Sequence, residues 1–187
     1  MAAMIHIDSS LLRGMVDGSD SINNRNISRR LLNRSPEARF KVSLAAVGEV
    51  MAKMAESRSV GDCSDAGAEL RRLMLRGRLV IGGFGKDGTA FALANDLMKK
   101  DDRLTPADSI IVACAFVDPD CSAFVTDDDM LLGSRVLKAE ALERGIRIIS
   151  NLTSDRSARG SALVKPSCMN LRMVLARGTP LSPLISK

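Results

Sequence analysis

The sequence predicts a three-layer α/β/α domain with a central parallel sheet of about five strands. Five short, β-rich apolar runs alternate with segments of helical periodicity. Such an alternation places helices on both faces of a parallel sheet. The chain has 187 residues, 45% of them hydrophobic, which is enough to bury the core that this class needs. Ligands of such sheets bind at the carboxyl ends of the strands, so the residues that follow strands are the first candidates for function.

The strands are predicted from apolar runs that have turn-forming residues or acids at their ends. The first run begins at Met4 and ends on an acid, Asp8, and Gly82-Gly83 close the third. An Asp-Pro-Asp turn at 118–120 precedes the fourth run, and three consecutive aspartates follow it. In chain order, the predicted strands are residues 4–8, 40–44, 78–81, 122–126 and 146–149.

The helices are predicted from apolar spacing and from capping residues at their ends. Ser9-Ser10 open the first helix. Thr105, Pro106 and Asp108 come close to a capping box with proline at the first helical position. Gly145 ends the last helix, and the polar stretch 17–26 is predicted to be a loop. The other predicted helices span residues 27–32, 45–54, 66–75, 89–99, 105–116 and 130–144.

Charge divides the chain into a domain, residues 1–150, and a basic C-terminal extension, residues 151–187. Six of the 27 basic residues and one of the 22 acidic residues lie in the extension, which leaves 21 of each in the domain. The whole formal net charge of +5 therefore belongs to the extension. Such an excess suits a polyanion such as nucleic acid, although a solvated segment without a partner explains it equally well.

The residue inventory excludes several chemistries. His6 is the only histidine, so a Ser-His-Asp or Cys-His mechanism has a single candidate base, and its place in the first strand predicts a packed or surface side chain in preference to a catalytic one. No apolar run approaches the roughly 20 residues that cross a bilayer, and the N-terminus does not resemble a signal peptide. A cytoplasmic location is therefore expected. The cysteines form no C-x-x-C pair and are expected to be reduced and structural: Cys63, Cys114, Cys121 and Cys168.

Acids stand where the predicted strands end. Asp8 ends the first strand, the run 127–129 follows the fourth, and Asp108 lies in the first turn of the helix that leads into the fourth. In a parallel sheet these positions crowd one edge, where mutual repulsion is costly unless a divalent cation relieves it. Oxygen ligands without histidine or cysteine favour Mg²⁺ or Mn²⁺ over Zn²⁺.

Each of these acids also has a purely structural explanation. Asp8 can cap the helix that Ser9 opens, Asp108 can complete a capping box, and the aspartates after Thr126 can cap the next helix. Glu49 is different, because it lies in the middle of an apolar helical stretch and caps nothing. It either faces solvent or points into an acidic pocket.

The order of these acids resembles the pattern of the PIN-domain family. That pattern has an Asp that closes the first strand, a Glu on the helix after the second, an Asp in a helix that begins Leu-Thr-x-x-Asp, and Val-Thr-x-Asp after the fourth strand. The resemblance covers about residues 4–150 and implies a PIN-like domain. Residue by residue, it implies these catalytic and metal-binding acids: Asp8, Glu49, Asp108 and Asp128, with Asp127 competing for the fourth position.

The resemblance implies an endoribonuclease that depends on Mg²⁺ or Mn²⁺ and hydrolyses phosphodiester bonds of RNA. The resemblance also implies that Thr126 and Ser10 help to order the site. RNA is the expected substrate, and the other expected partner is either a small antitoxin, as for a VapC-type toxin, or an RNA-processing complex; similar proteins are often homodimers. The chain has no Trp or Tyr for base stacking, so the candidates for phosphate contact are basic: Arg13, Arg25, Arg29, Arg30 and Arg34.

Two other classes are weighed against this one. A non-catalytic RNA- or protein-binding module on the same scaffold predicts binding without cleavage. A phospho-acceptor receiver-like domain would need an acidic pair after the first strand and an Asp after the third. Here Ser9-Ser10 follow Asp8 and Gly82-Gly83 close the third strand, so the receiver-like class fails on both counts.

Overall fold

The structure is a computed structural model that describes residues 4–17, 28, 39–57 and 60–150, without the side chains of 57–64. Its strands are β1 (Met4–Ile7), β2 (Phe40–Ser43), β3 (Leu79–Gly82), β4 (Cys121–Val125) and β5 (Arg147–Ile149). Its helices are α1 (Ser9–Val16), α2 (Leu44–Ser57), α3 (Val60–Leu75), α4 (Thr89–Lys100), α5 (Pro106–Phe116), α6 (Asp129–Gly133) and α7 (Arg135–Glu143), with a 3₁₀ turn at Lys86–Gly88.

The five strands form one sheet in the order β3-β2-β1-β4-β5, and every pair is parallel. Parallel neighbours require a crossover, which the helices between the strands provide. Helices α1, α2 and α3 pack on one another, while α4 packs along α5. The predicted three-layer α/β/α class is confirmed, and the carboxyl ends of the strands lie along one edge.

Strand β1 occupies the centre of the sheet and is buried on both faces. Ile5 lies beside Phe40 of β2 on one face, and His6 lies beside Lys41 on the other. Ile5, His6 and Phe40 are each at most 2% exposed. Double burial is typical of a central parallel strand, and it places a histidine, a polar residue, inside the protein.

The predicted helix 130–144 is wrong as a single element, because the chain forms two helices there, α6 and α7. Ser134 separates them with an extended backbone, φ −68° and ψ 119°. Its hydroxyl accepts a hydrogen bond from the Leu137 amide at 3.2 Å and donates one to Asp101 Oδ2 at 2.7 Å. Ser134 is fully buried, so a continuous helix would leave both it and Asp101 without these partners.

The remaining predictions for the described residues differ from the structure mainly in bounds. Helix α3 begins earlier than predicted, at Val60. Cys114 and Cys121 are buried free thiols, and burial raises the pKa of Cys114 to about 11. Ser28 is helical, but the rest of the predicted helix 27–32 and the extension 151–187 lie outside the described residues. Among the residues that the structure describes, no helix combines the length and the apolarity that crossing a membrane requires.

Candidate active site

The ends of the central strands are joined by backbone hydrogen bonds. The Asp8 amide donates to the Val125 carbonyl at 3.0 Å, and the Thr126 amide donates to the Ile149 carbonyl at 3.1 Å. The residues that follow β1, β4 and β5 therefore lie side by side. We call the carboxylates near this edge, Asp8, Asp108, Asp127 and Asp128, the acid edge.

Asp8 is the buried centre of the acid edge, with 3% of its surface exposed. Its Oδ1 accepts a hydrogen bond from the Ser9 amide at 2.7 Å, which makes Asp8 the N-cap of α1. Its Oδ2 accepts from the Thr126 hydroxyl at 2.8 Å and from the Ser10 hydroxyl at 3.2 Å. The structural explanation of Asp8 as a cap is thus correct, but it accounts for only one of the two carboxylate oxygens.

Thr126 connects two of the predicted site acids. Its side chain donates to Asp8 and accepts a hydrogen bond from the Asp128 amide at 3.1 Å. Asp128 in turn caps α6, because its Oδ1 accepts from the amides of Met130 and Leu131 at 2.7 and 3.3 Å. Thr126 has no exposed surface, so the position of its hydroxyl is fixed by packing as well as by hydrogen bonds.

Asp108 lies in the first turn of α5 and belongs to the acid edge. Its amide donates to Thr105 Oγ1 at 3.1 Å, and the Thr105 hydroxyl donates to Asp108 Oδ2 at 2.6 Å. The N-cap at Thr105 and the proline at the start of α5 are as predicted. The charge of Asp108 also acts on Asp8, so the two carboxylates share one electrostatic environment.

Burial raises the pKa of Asp8. The hydrogen bonds from Thr126, Ser9 and Ser10 lower it, but they do not offset the loss of solvent, and the charge of Asp108 raises it further. The partners of Asp8 among the described residues are hydroxyls and an amide, and none is a cation. Asp8 is therefore a buried acid whose charge no base compensates within the described part of the chain.

Glu49 lies on α2, and its side chain is only 17% exposed. Its Oε1 forms an ion pair with Lys53 one turn later. Its Oε2 is buried and has no hydrogen-bond partner. Sequence reasoning missed Lys53 as the partner, although the Glu-to-Lys spacing of four in a helix is the signal that predicts such pairs.

The predicted acids do not form a compact ligand set. Among the described residues, no three His, Cys, Asp or Glu side chains are grouped so that they could hold a metal ion. The local bonds explain this: oxygens of Asp108, Asp128 and Glu49 are engaged by Thr105, by helix amides and by Lys53, respectively.

The other predicted site residues are placed only in part. Asp127 is partly buried beside Asp128. Arg13 lies on α1, where its Nε is 3.5 Å from Asp17 Oδ2 and a third of its side chain is exposed. The candidates Arg25, Arg29, Arg30 and Arg34 lie outside the described residues.

No protein-family model and no curated protein matches the chain. Solved structures do match it. VapBC2 from Rickettsia felis, bound to a DNA fragment from their promoter, is 11% identical with a TM-score of 0.53. FitAcB from Neisseria gonorrhoeae is 14% identical with a TM-score of 0.50. In both cases the match covers 79% of this chain and 98% of the other. Identities this low show the fold alone, and that fold is the PIN-like fold of VapC proteins.

Proposed function

We propose that this protein is an endoribonuclease that hydrolyses phosphodiester bonds of RNA with Mg²⁺ or Mn²⁺ at the acid edge. The observation that carries the proposal is Asp8. It is a buried carboxylate at the end of the central strand, it lacks a compensating base among the described residues, and Thr126 links it to Asp128. A buried acid with a raised pKa at the ligand-binding edge of an α/β sheet is a candidate for a functional site.

The residues fit a hard divalent cation. The candidate ligands, Asp8, Asp108, Asp128 and Glu49, are all carboxylates, which are the ligands that Mg²⁺ and Mn²⁺ prefer. A buried carboxylate oxygen without a partner is costly, and Glu49 Oε2 is such an atom. A cation at this edge would offset the repulsion between Asp8 and Asp108, and Glu49 Oε2 makes no hydrogen bond to a described residue that would compete with a cation.

The local bonds of the acids are weak enough to be exchanged for such a cation. An ion pair between residues four apart on a helix contributes only about 0.3–0.5 kcal/mol, so Lys53 does not prevent Glu49 from acting as a ligand. Asp128 uses Oδ1 for its cap. We therefore assign Asp8, which Thr126 restrains, as the ligand with a fixed position. Glu49 and Asp108 are the acids whose side chains would move to contact the cation.

A divalent cation would polarise the scissile phosphate and make an attacking water easier to deprotonate. The chain's own residues would hold the reacting groups. Asp8, Asp108 and Asp128 position the cation, and Glu49 completes a second cation site or orients the water. Thr126 and Ser10 keep Asp8 Oδ2 in one orientation through their hydroxyls.

The proposed partners follow from the same resemblance. RNA is the substrate, with the basic extension 151–187 and Arg13 as candidates for phosphate contact. A small antitoxin is the favoured protein partner, because a VapBC complex and FitAcB share the fold. An RNA-processing complex, a homodimer and a cytoplasmic location stay predictions.

The test combines a cleavage assay with a metal-binding assay. Full-length protein is incubated with a single-stranded RNA and Mg²⁺ or Mn²⁺, and with EDTA as the metal-free control. Asp8→Asn keeps the shape of the side chain but removes its charge, and it should reduce cleavage by about a thousandfold or more. The matched control is Asp96→Asn, at an exposed acid on α4, and it should cleave like the wild type.

Binding of Mn²⁺, followed by its electron paramagnetic resonance signal, gives a readout that does not depend on turnover. Wild type and Asp96→Asn should bind the ion, and Asp8→Asn should bind it more weakly. If Asp8→Asn cleaves RNA at the wild-type rate, the catalytic assignment is wrong.

A non-catalytic binding module is the second candidate, because caps explain part of the acid edge and the described acids form no grouped ligand set. It predicts that the wild type binds RNA or a protein and that no divalent cation produces cleavage. The same wild-type assay, run beside an RNA-binding measurement, separates the two functions.

A further inference from the structure

A cleft of about 580 Å³ opens on the face of the sheet that carries His6 and Lys41. It lies between these strand residues, the loop from β3 to α4, and the turn after α5. None of the proposed metal ligands lines it. We call it the β3–α4 cleft, and its volume is within the range of small-molecule sites.

The floor of the β3–α4 cleft is a compensated charge cluster. Asp118 Oδ2 is 2.6 Å from His6 Nε2 and 2.7 Å from Lys41 Nζ. Asp118 Oδ1 accepts a hydrogen bond from the Asp120 amide at 3.2 Å. Asp118 is the one carboxylate among the described residues that line the cleft, and its ion pair with Lys41 offsets its negative charge.

The mouth of the cleft carries a cation and exposed backbone. Lys86 lines it and has no ion-pair partner among the described residues. Asp87 follows Lys86 but is not part of the lining. The amides of Gly83 and Gly85 also make no backbone hydrogen bond to a described residue. Donors without acceptors around one opening suit an anionic ligand.

Gly85 keeps this opening clear. Its φ is +78°, and a Cβ there would lie 2.6 Å from Thr89 Oγ1 and 3.0 Å from Val117 Cγ2. Both of those residues line the cleft. Any side chain at this position would push against the wall, so the backbone and the Thr89 hydroxyl can face the same ligand only because residue 85 is a glycine.

The charges of the lining leave one positive charge for the ligand. Lys41 and His6 both contact Asp118. The ammonium of Lys86 then remains. Its neighbours, the Thr89 hydroxyl and the glycine amides, add donors around the same opening, which matches an anion with several acceptor oxygens better than a planar carboxylate.

We propose that the β3–α4 cleft binds a phosphate group, carried either by a small phosphomonoester or by an RNA chain, with Lys86 as the main charged contact. The Thr89 hydroxyl and the amides of Gly83 and Gly85 lie within the same lining and complete the phosphate contacts. The cleft has room for the group that carries the phosphate, against Val117 and Pro119. This site is independent of the acid edge and does not require the protein to be a nuclease.

The test measures phosphate binding without divalent metal. Isotope-labelled full-length protein in EDTA is titrated with inorganic phosphate and then with AMP, against sodium chloride of equal ionic strength, and amide signals are followed by NMR. The amides of Gly83, Gly85 and Lys86 should shift in a saturable way. Lys86→Ala should weaken binding about tenfold or more.

Two matched variants locate the effect. Lys99→Ala removes an exposed lysine that lies on α4, away from the cleft lining, and should leave binding unchanged. Asp8→Asn should also leave it unchanged, so loss of nuclease activity and loss of phosphate binding are separate results. Thr89→Val, which keeps the shape of the side chain, should weaken binding less than Lys86→Ala does.

Two arms identify the source of the phosphate. Saturation by AMP supports a small phosphomonoester. Binding of a short RNA that depends on Lys86, with no response to AMP, supports the phosphate of a chain. The proposal is overturned if none of the three amides shifts with any probe up to about 10 mM, or if Lys86→Ala binds as tightly as the wild type.

Discussion

Two acids that lie next to strands of the same sheet, the buried Asp8 and the partly buried Asp118, have opposite surroundings. Asp8, at the end of β1, accepts hydrogen bonds from Thr126, Ser9 and Ser10, and burial raises its pKa. Burial also tends to raise the pKa of Asp118, but hydrogen bonds from Lys41 and His6 outweigh it and lower the pKa. Asp118 therefore has a positively charged partner, whereas Asp8 lacks one among the described residues.

The difference shows that burial alone does not distinguish an acid whose charge is compensated from one whose charge is not. A buried carboxylate is tolerated when it is paired, and Asp118 meets that condition with bases from two neighbouring strands. Within the described part of the chain, Asp8 has only hydroxyls and an amide as partners, which hydrogen-bond to a carboxylate without neutralising it. The missing positive charge is therefore what singles out the acid edge, and four experiments test this contrast.

The largest expected effect is a loss of folding stability when Asp118 is replaced. Asp118→Ala leaves Lys41 and His6 without their shared acceptor, and we expect a loss of about 2 kcal/mol in the free energy of unfolding. This is below the value for fully buried pairs because Lys41 remains 22% exposed. Urea unfolding measures it, with Asp120→Ala as the control on an exposed neighbour. A loss no larger than that of the control would mean that the cluster is not structural.

The next effect is on the link between Asp8 and Asp128. Thr126→Val removes the hydroxyl but keeps the shape, and we expect RNA cleavage to fall about tenfold because Asp8 Oδ2 loses its strongest restraint. Thr126→Ser should restore most of the rate. A fall in cleavage that Ser does not rescue would point to packing instead of positioning. Circular dichroism of each variant checks that the fold is retained.

A smaller effect of opposite sign is expected at Asp8 itself. The charge of Asp8 is unfavourable in the metal-free protein, so Asp8→Asn should stabilise it by about 1 kcal/mol in EDTA. Mg²⁺ or Mn²⁺ should stabilise the wild type and have little effect on the variant. Thermal unfolding with and without the ion measures both. Destabilisation of the metal-free variant would show that Asp8 is as well compensated as Asp118.

The effect that is smallest at neutral pH is a pH dependence with a sign set by His6. Burial lowers its pKa below the usual 6.5, so the unfolded chain takes up a proton that the folded protein refuses. Stability should be unaffected by His6 above about pH 7 and should fall as the pH drops below 6.5, with a slope of at most about 1.4 kcal/mol per pH unit.

His6→Gln should remove this slope between pH 6.5 and 5, as measured by urea unfolding at fixed ionic strength. The raised pKa of Asp8 acts in the other direction, because the folded protein gains a proton there as the pH falls. The effect of His6→Gln on the slope is therefore measured most clearly in proteins that also carry Asp8→Asn. A wild-type slope that His6→Gln leaves unchanged would contradict the assignment.

Local signals explain which parts of the fold were predictable. The parallel sheet, the capping box at Thr105 and the acids after the strands all depend on residues within a few positions of one another. The break at Ser134 was missed because it depends on Asp101, 33 positions away. A helix period continues through residues 133–135 in the sequence, and the local signal that could have indicated the break is Gly133 followed by Ser134, a residue type common at helix N-caps.

The sequence by itself determined the class of fold and the order of the acids, because apolar spacing and strand ends are written along the chain. Only the tertiary structure decided what each acid contacts. It placed Lys41 and His6 around Asp118 and hydroxyls around Asp8, since strands distant in sequence become neighbours through the crossovers. Compensation of a buried charge is a property of distance in space, and spacing along the chain does not specify it.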